Sequence, residues 1–143
     1  ETFVDGWLRT GDVGYQDEDG YTFLVDRLKD VILCSGYNVY PRAIEEALYL
    51  HEQIAEVTCI GVPDPYRGQA PKAFVRLKDG VTDVTAEDLR AFLDDKISRI
   101  EMPREIEIRE ELPKTMVGKL SKKELVEEER LKREGDTSIN SMR

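Results

Sequence analysis

Asp12 follows Thr10-Gly11, and its carboxylate can accept two hydrogen bonds from a vicinal diol, since an ionised aspartate offers only acceptors. Taken alone, the same residue reads as a turn aspartate. Arg27 closes an apolar run with a rigid fork of donors, yet by itself it reads equally well as a strand-end surface charge. Ser35-Gly36-Tyr37 is a turn whose glycine, lacking Cβ, lets a ligand approach the backbone closely; a plain hairpin glycine is the alternative. Gly118-Lys119 is not a Walker loop, because Pro113 stands where its first glycine belongs and Leu120 where its Ser/Thr belongs. Lys122-Lys123 reads as a solvated face able to attract a phosphate. His51, the only histidine, ends a helix, where the dipole favours it, and calls for no catalytic role. Cys34 and Cys59 are too few and too isolated for a disulfide framework or a zinc site, and read as reduced and structural. No metal ligands are assigned.

The elements that must hold these residues follow from pattern. Val13-Gly14-Tyr15 and Tyr21–Val25 flank the acidic turn Asp17-Glu18-Asp19-Gly20, a hairpin that is marginal alone and should lean on other partners. Asp12 falls in the loop before it. Pro41 opens a helix with Ile44, Ala47 and Leu48 on one face. Val57–Val62 and Ala73–Leu77 are strands, the first ended by Pro63-Asp64-Pro65 and the second by the turn at Asp79-Gly80. Thr85 caps a helix whose Leu89, Phe92, Leu93 and Ile97 share a face, with Asp88 as a weaker version of the capping-box partner. Glu105–Arg109 alternates as a strand with one buried face, and Ser121-Lys122-Lys123-Glu124 opens a last, highly charged helix. The order hairpin, helix, strand, strand, helix, strand, helix gives a small α+β domain: a short β-hairpin and a mainly three-stranded sheet covered by helices.

A net charge of −9 argues against nucleic acid, since no basic stripe exists to displace counterions. It also opposes any polyanionic ligand, whose phosphates must then be met by local cations. No run approaches the ~18 apolar residues of a membrane span. The chain opens at Glu1 in mid-motif and reads as a fragment of something longer.

Asp26-Arg27-Leu28-Lys29-Asp30 with Val31–Pro41 after it, Trp7-Leu8-Arg9-Thr10-Gly11-Asp12 before it, and Pro113–Leu120 downstream together resemble the adenylate-forming acyl-CoA synthetases over residues 1 to about 130. The resemblance implies that 1–28 is the trailing end of a large N-terminal adenylation domain. Residues 29–133 would be the mobile C-terminal lid, and 134–143 a disordered tail. It makes Asp12 and Arg27 nucleotide contacts and Lys29 the hinge. It puts Ser35, Gly36 and Tyr37 beside the pantetheine channel, and makes Lys119 the adenylation lysine, on a mobile loop, bridging substrate carboxylate and α-phosphate. Lys114 matches the motif without a chemical role.

The implied cofactors are ATP, Mg2+ and coenzyme A, with the Mg2+ ligands in the absent large domain. The implied partners are that large domain, a small-molecule carboxylic acid and CoA, with a cytoplasmic location and any peripheral membrane association left to the absent part. The wording around Gly36–Pro41 and Arg109–Lys114 is most similar to the medium- and long-chain fatty-acid ligases. A luciferase-type oxygenase is disfavoured by Leu33, where those proteins carry a lysine. An amino-acid adenylation domain serving a carrier protein, or a non-catalytic accessory module, are the alternatives. Ile100-Glu101 stands where the family usually reads Tyr-Lys, and Gln69 where glutamate is common. The fragment by itself is expected to be inactive.

Overall fold

The structure is a computed structural model and describes residues 3–141. Two small antiparallel hairpins come first. Phe3–Val4 (β1) pairs with Trp7–Leu8 (β2), and Asp12–Gln16 (β3) pairs with Thr22–Arg27 (β4). Asp17 makes the second turn: its Oδ1 accepts from the N–H groups of Asp19 and Tyr21 at 3.0 and 2.9 Å. Asp12 is therefore the first residue of a strand, directly opposite Arg27, and not part of a loop.

A single turn of 3-10 helix, Leu28–Asp30, leads into Ile32–Cys34 (β5) and Tyr37–Val39 (β6). Pro41–Tyr49 (α1) follows, with Pro41, Ile44, Ala47 and Leu48 buried. Ile54–Asp64 (β7) and Gly68–Leu77 (β8) form a long antiparallel ribbon, longer than the sequence pattern suggests because Pro63 and Pro71 stay within it. Ala86–Leu93 (α2), Glu105–Ile108 (β9) and Lys122–Ser141 (α3) complete the chain. The expected three-stranded sheet is β7, β8 and β9, with β9 parallel to β8. The β5–β6 hairpin adds to it through the Cys34–Gly68 bridge, making five strands. The backbone of α3 continues to Ser141, whereas the sequence reading ends order near Arg133.

Alternation along β7 and β8 divides the core in two. Val57, Cys59, Ala73 and Val75 face α1 and α2, with Ile32, Leu48, Leu89 and Ile106. Ile60, Val62 and Phe74 face the other way, against Leu112 and, from α3, Leu125. Both cysteines are buried and unpaired, and burial pushes the Cys59 thiol far up, which leaves it inert. Lys72 is buried too, its Nζ 2.6 Å from Glu129 and 3.3 and 3.5 Å from Glu105 and Glu107. Burial works against the ammonium, but those carboxylates outweigh it and raise its pKa, so α3 is tied to the sheet by a charge that stays on.

The capping box of α2 is complete: Thr85 Oγ1 accepts from the Asp88 N–H at 3.2 Å, and Asp88 Oδ2 accepts from the Thr85 N–H at 2.9 Å. Thr85→Ala is expected to cost about 1 kcal/mol in urea unfolding, the usual worth of such a cap.

Candidate functional site

The residues singled out by the sequence fall into three groups. In the first, strand pairing sets Asp12 opposite Arg27, and Arg27 Nε lies 3.1 Å from Asp12 Oδ1. Gly11 adopts φ +77° and its carbonyl accepts from the Leu28 N–H at 2.7 Å, so the end of this hairpin is closed onto the start of the 3-10 turn. Lys29 lies exposed in that turn, which Val31 closes by donating to the Leu28 carbonyl. Lys29 also edges a cleft of about 200 Å³ shared with Cys59, Ile60, Gly61 and Lys122, beside the middle of β7.

Asp26 is a residue the sequence reading missed. Tyr40 supplies no side-chain cap to α1. Asp26 does it from a distance: its Oδ2 accepts from the Arg42 N–H at 2.8 Å, and its Oδ1 from the Arg27 N–H at 2.7 Å. A helix opened by Pro41 with no Ser, Thr, Asp or Asn before it was the available signal.

The second group is the β5–β6 turn. Ser35 and Gly36 both have positive φ, +52° and +82°, as a two-residue type I′ hairpin requires. A Cβ at Gly36 would meet nothing within 4 Å, so the turn is open to solvent, and Tyr37 beside it is exposed. Its position is fixed by the Ser35 N–H donating to the Arg67 carbonyl at 2.8 Å and by the Leu33 N–H donating to Gln69 Oε1 at 3.0 Å. Glutamine thus does here what a glutamate could also do.

Lys119 sits in the third group, a tight turn between Lys114 and Leu120, which pair with each other. The Gly118 N–H donates to the Thr115 carbonyl at 2.9 Å, the Thr115 N–H to the Lys119 carbonyl at 2.6 Å, and the Lys119 N–H to Thr115 Oγ1 at 3.2 Å. Gly118 takes φ +83°, and Met116 and Val117 at the tip are exposed. Lys114 reaches back to Glu56 at 2.8 Å.

The structure does not bring these groups together. The Ser35–Gly36 turn is anchored at Arg67 beside Gly68, which pairs with Asp64, while the Lys119 turn is anchored at Glu56. Glu56 and Asp64 are eight positions apart on β7, or ~27 Å at the rise of a strand. Lys29 borders the cleft at Cys59, Ile60 and Gly61, which fall between those two positions on β7. Glu101 is engaged locally: its carboxylate accepts from the Ser98 N–H and Oγ at 2.9 and 2.7 Å, and Ile100 packs on the core. Among the described residues no group of three or more His, Cys, Asp or Glu is arranged to hold a metal ion, and no helix is long and apolar enough to cross a membrane.

The small α+β fold is that of the C-terminal part of adenylate-forming enzymes. Residues 43–119 match the AMP-binding enzyme C-terminal domain, and the chain belongs to that family. It is 53% identical over 125 residues to a long-chain-fatty-acid–CoA ligase of Bacillus subtilis, a match covering 87% of this chain and 22% of that protein. Two solved structures superpose well. ATP-bound MatB from Rhodopseudomonas palustris gives a TM-score of 0.80 at 32% identity, over 88% of this chain and 25% of that one. The o-succinylbenzoate CoA synthetase of Bacillus subtilis, bound to its acyl-adenylate intermediate, gives 0.77 at 32% identity, over 83% and 24%. The chain thus spans about a quarter of the proteins it matches.

Proposed function

We propose that this chain is the lid of an ATP-dependent acyl-CoA ligase acting on medium- or long-chain fatty acids. The observation that carries this reading is the display of Lys119 and Gly36 on turns tied to opposite ends of one ribbon, with Lys29 bordering the cleft beside its middle. A single active site on a large domain then meets each end in turn by rotation about Lys29. The fatty-acid substrate class is supported by the name of the Bacillus subtilis relative.

In the first half-reaction a carboxylate oxygen attacks the α-phosphate of ATP and pyrophosphate leaves. Lys119 bridges the two anions as charge builds between them. The Asp12 carboxylate accepts from the ribose hydroxyls and the terminal nitrogens of Arg27 meet the nucleotide. Magnesium accompanies ATP, held by residues of the large domain. In the second half-reaction the CoA thiol attacks the acyl carbonyl and AMP leaves, with the pantetheine passing the open turn at Ser35, Gly36 and Tyr37.

Residues 1–28 belong in this reading to the large domain, and 29–133 to the lid. Support comes from the first two hairpins, whose Trp7, Leu8, Phe23 and Leu24 stay exposed and lack a core of their own.

Two experiments test the reading. The chain alone, given fatty acid, Mg-ATP and CoA, is expected to make no thioester, and turnover by it would sink the two-domain assignment. In the full-length enzyme, Gly36→Leu is expected to slow acyl transfer to CoA ~10-fold by crowding the thiol, at the low end of what misplacement costs. Acyl-AMP formation should stay unchanged. Equal slowing of both steps would remove the turn from the thioester half-reaction.

A further inference from the structure

The Lys119 turn is rigid within itself but projects from the domain, with nothing packed on Met116 or Val117 at its tip. Where it points is therefore decided at its two stems. The C-terminal stem is Leu120, half-buried against the α3 core, and Ser121, whose N–H donates to the Pro113 carbonyl at 2.8 Å. Lys122 adds an ion pair with Glu45 of α1 at 3.0 Å. The N-terminal stem is Lys114, whose side chain pairs with Glu56.

Glu56 is not an ordinary surface acid. It stands on β7 at the register shift that follows Ile54, directly across from Arg76 of β8, whose Nε donates to Glu56 Oε2 at 3.1 Å. Its other oxygen, Oε1, takes the Lys114 ammonium at 2.8 Å. The Glu56 side chain is only 18% exposed, against 46% for Lys114. An exposed ion pair contributes little because two floppy side chains must be ordered to make it. Here one partner is already held by the sheet, and only the lysine has to be ordered. The Lys114 ammonium, and after it the Arg76 guanidinium, hold the Glu56 carboxyl below the usual carboxylate range, in keeping with a site built for the anion.

We propose that Glu56 is a positioning residue for Lys119: gripped by Arg76, it fixes Lys114 and through the Lys114–Leu120 pair sets the direction of the turn that carries Lys119. Lys114 then has a task without touching substrate. The inference rests on the adenylation reading of Lys119 for its effect on rate, and on geometry alone for its effect on the turn.

The test uses the full-length enzyme and the variants Glu56→Gln, Lys114→Met, the double variant, Lys114→Arg and Lys119→Ala. Two readouts are taken: amide hydrogen exchange over 114–121, and the single-turnover rates of acyl-AMP formation and of acyl transfer from supplied acyl-AMP. Glu56→Gln and Lys114→Met are each expected to raise exchange in the turn ~10-fold and slow acyl-AMP formation ~10-fold, with KM for ATP and acyl transfer little changed. The double variant should be no worse than either single one, and Lys114→Arg should retain both properties. Unchanged exchange in Glu56→Gln overturns the proposal, as do additive losses or equal loss in both half-reactions. If exchange rises as expected but neither Glu56→Gln nor Lys119→Ala slows acyl-AMP formation, the positioning of the turn stands and the adenylation reading fails.

Discussion

Lys119→Ala in the full-length enzyme is expected to slow acyl-AMP formation at least ~100-fold, the scale of losing one transition-state donor. In the proposed reaction, attack on the α-phosphate brings two anions together, and a point charge between them would stabilise the transition state more than either separated reactant. The loss should therefore appear in the rate at saturating ATP and not mainly in KM. Conversion of supplied acyl-AMP and CoA to thioester should be much less affected, because the Lys119 turn and the Gly36 turn hang from different ends of the β7–β8 ribbon. Single-turnover measurement of each half-reaction decides the matter. Equal losses in both would make Lys119 a structural residue or one that serves both steps.

Phe74→Ala is expected to destabilise the domain by about 3–5 kcal/mol, the range for removing a large aromatic from a core. Phe74 is wholly buried at the centre of the α3-side core, with Ile60, Val62, Leu112 and Leu125 around it. Its ring also lies beneath two cations, Lys72 Nζ at 5.0 Å and Arg109 at 4.8 Å from the centroid. Removing the ring leaves a cavity and withdraws a cation–π partner from a buried lysine. Urea unfolding of the domain should show a lower midpoint with little change in slope. The loss should reach the Lys119 turn as well, since α3 begins two residues past Leu120 and rests on this cluster. A midpoint within the error of wild type would show that α3 holds its place by charge alone.

What the sequence made legible was whatever depends on neighbours along the chain. The period of Ile44, Ala47 and Leu48 gave α1, the Thr85–Asp88 spacing gave the cap of α2, and the alternation at Glu105–Ile108 gave β9. The Ser35-Gly36 turn was equally plain, because few residue pairs tolerate two positive φ values in succession. Contacts made at long range were hidden. Nothing in the local pattern around Asp26 says that it caps a helix sixteen residues on, or that Asp12 would face Arg27 across a strand pair. Glu56 looked like any charged residue before a strand, since its partners Arg76 and Lys114 come from β8 and from the turn. Lys29 illustrates a further limit. Proline there looks like a clean lock for a hinge, but Leu28 opens a 3-10 turn, and a following proline drives its neighbour out of helical conformation. Lys29→Pro would thus disturb the 3-10 turn itself as well as limit the proposed hinge.

The β7–β8 ribbon permits only certain spacings between the turns it carries. Side chains alternate along it with period two, so adding one residue to each strand would turn the residues beyond the addition to the opposite faces and exchange members of the two cores. Only additions of two per strand keep the faces, and each moves the ends apart by ~7 Å. The separation between the two anchoring points is accordingly quantised. A lineage could drift in loop length or surface charge by small steps, but it could change this distance only by a jump that the proposed large domain would have to match at once.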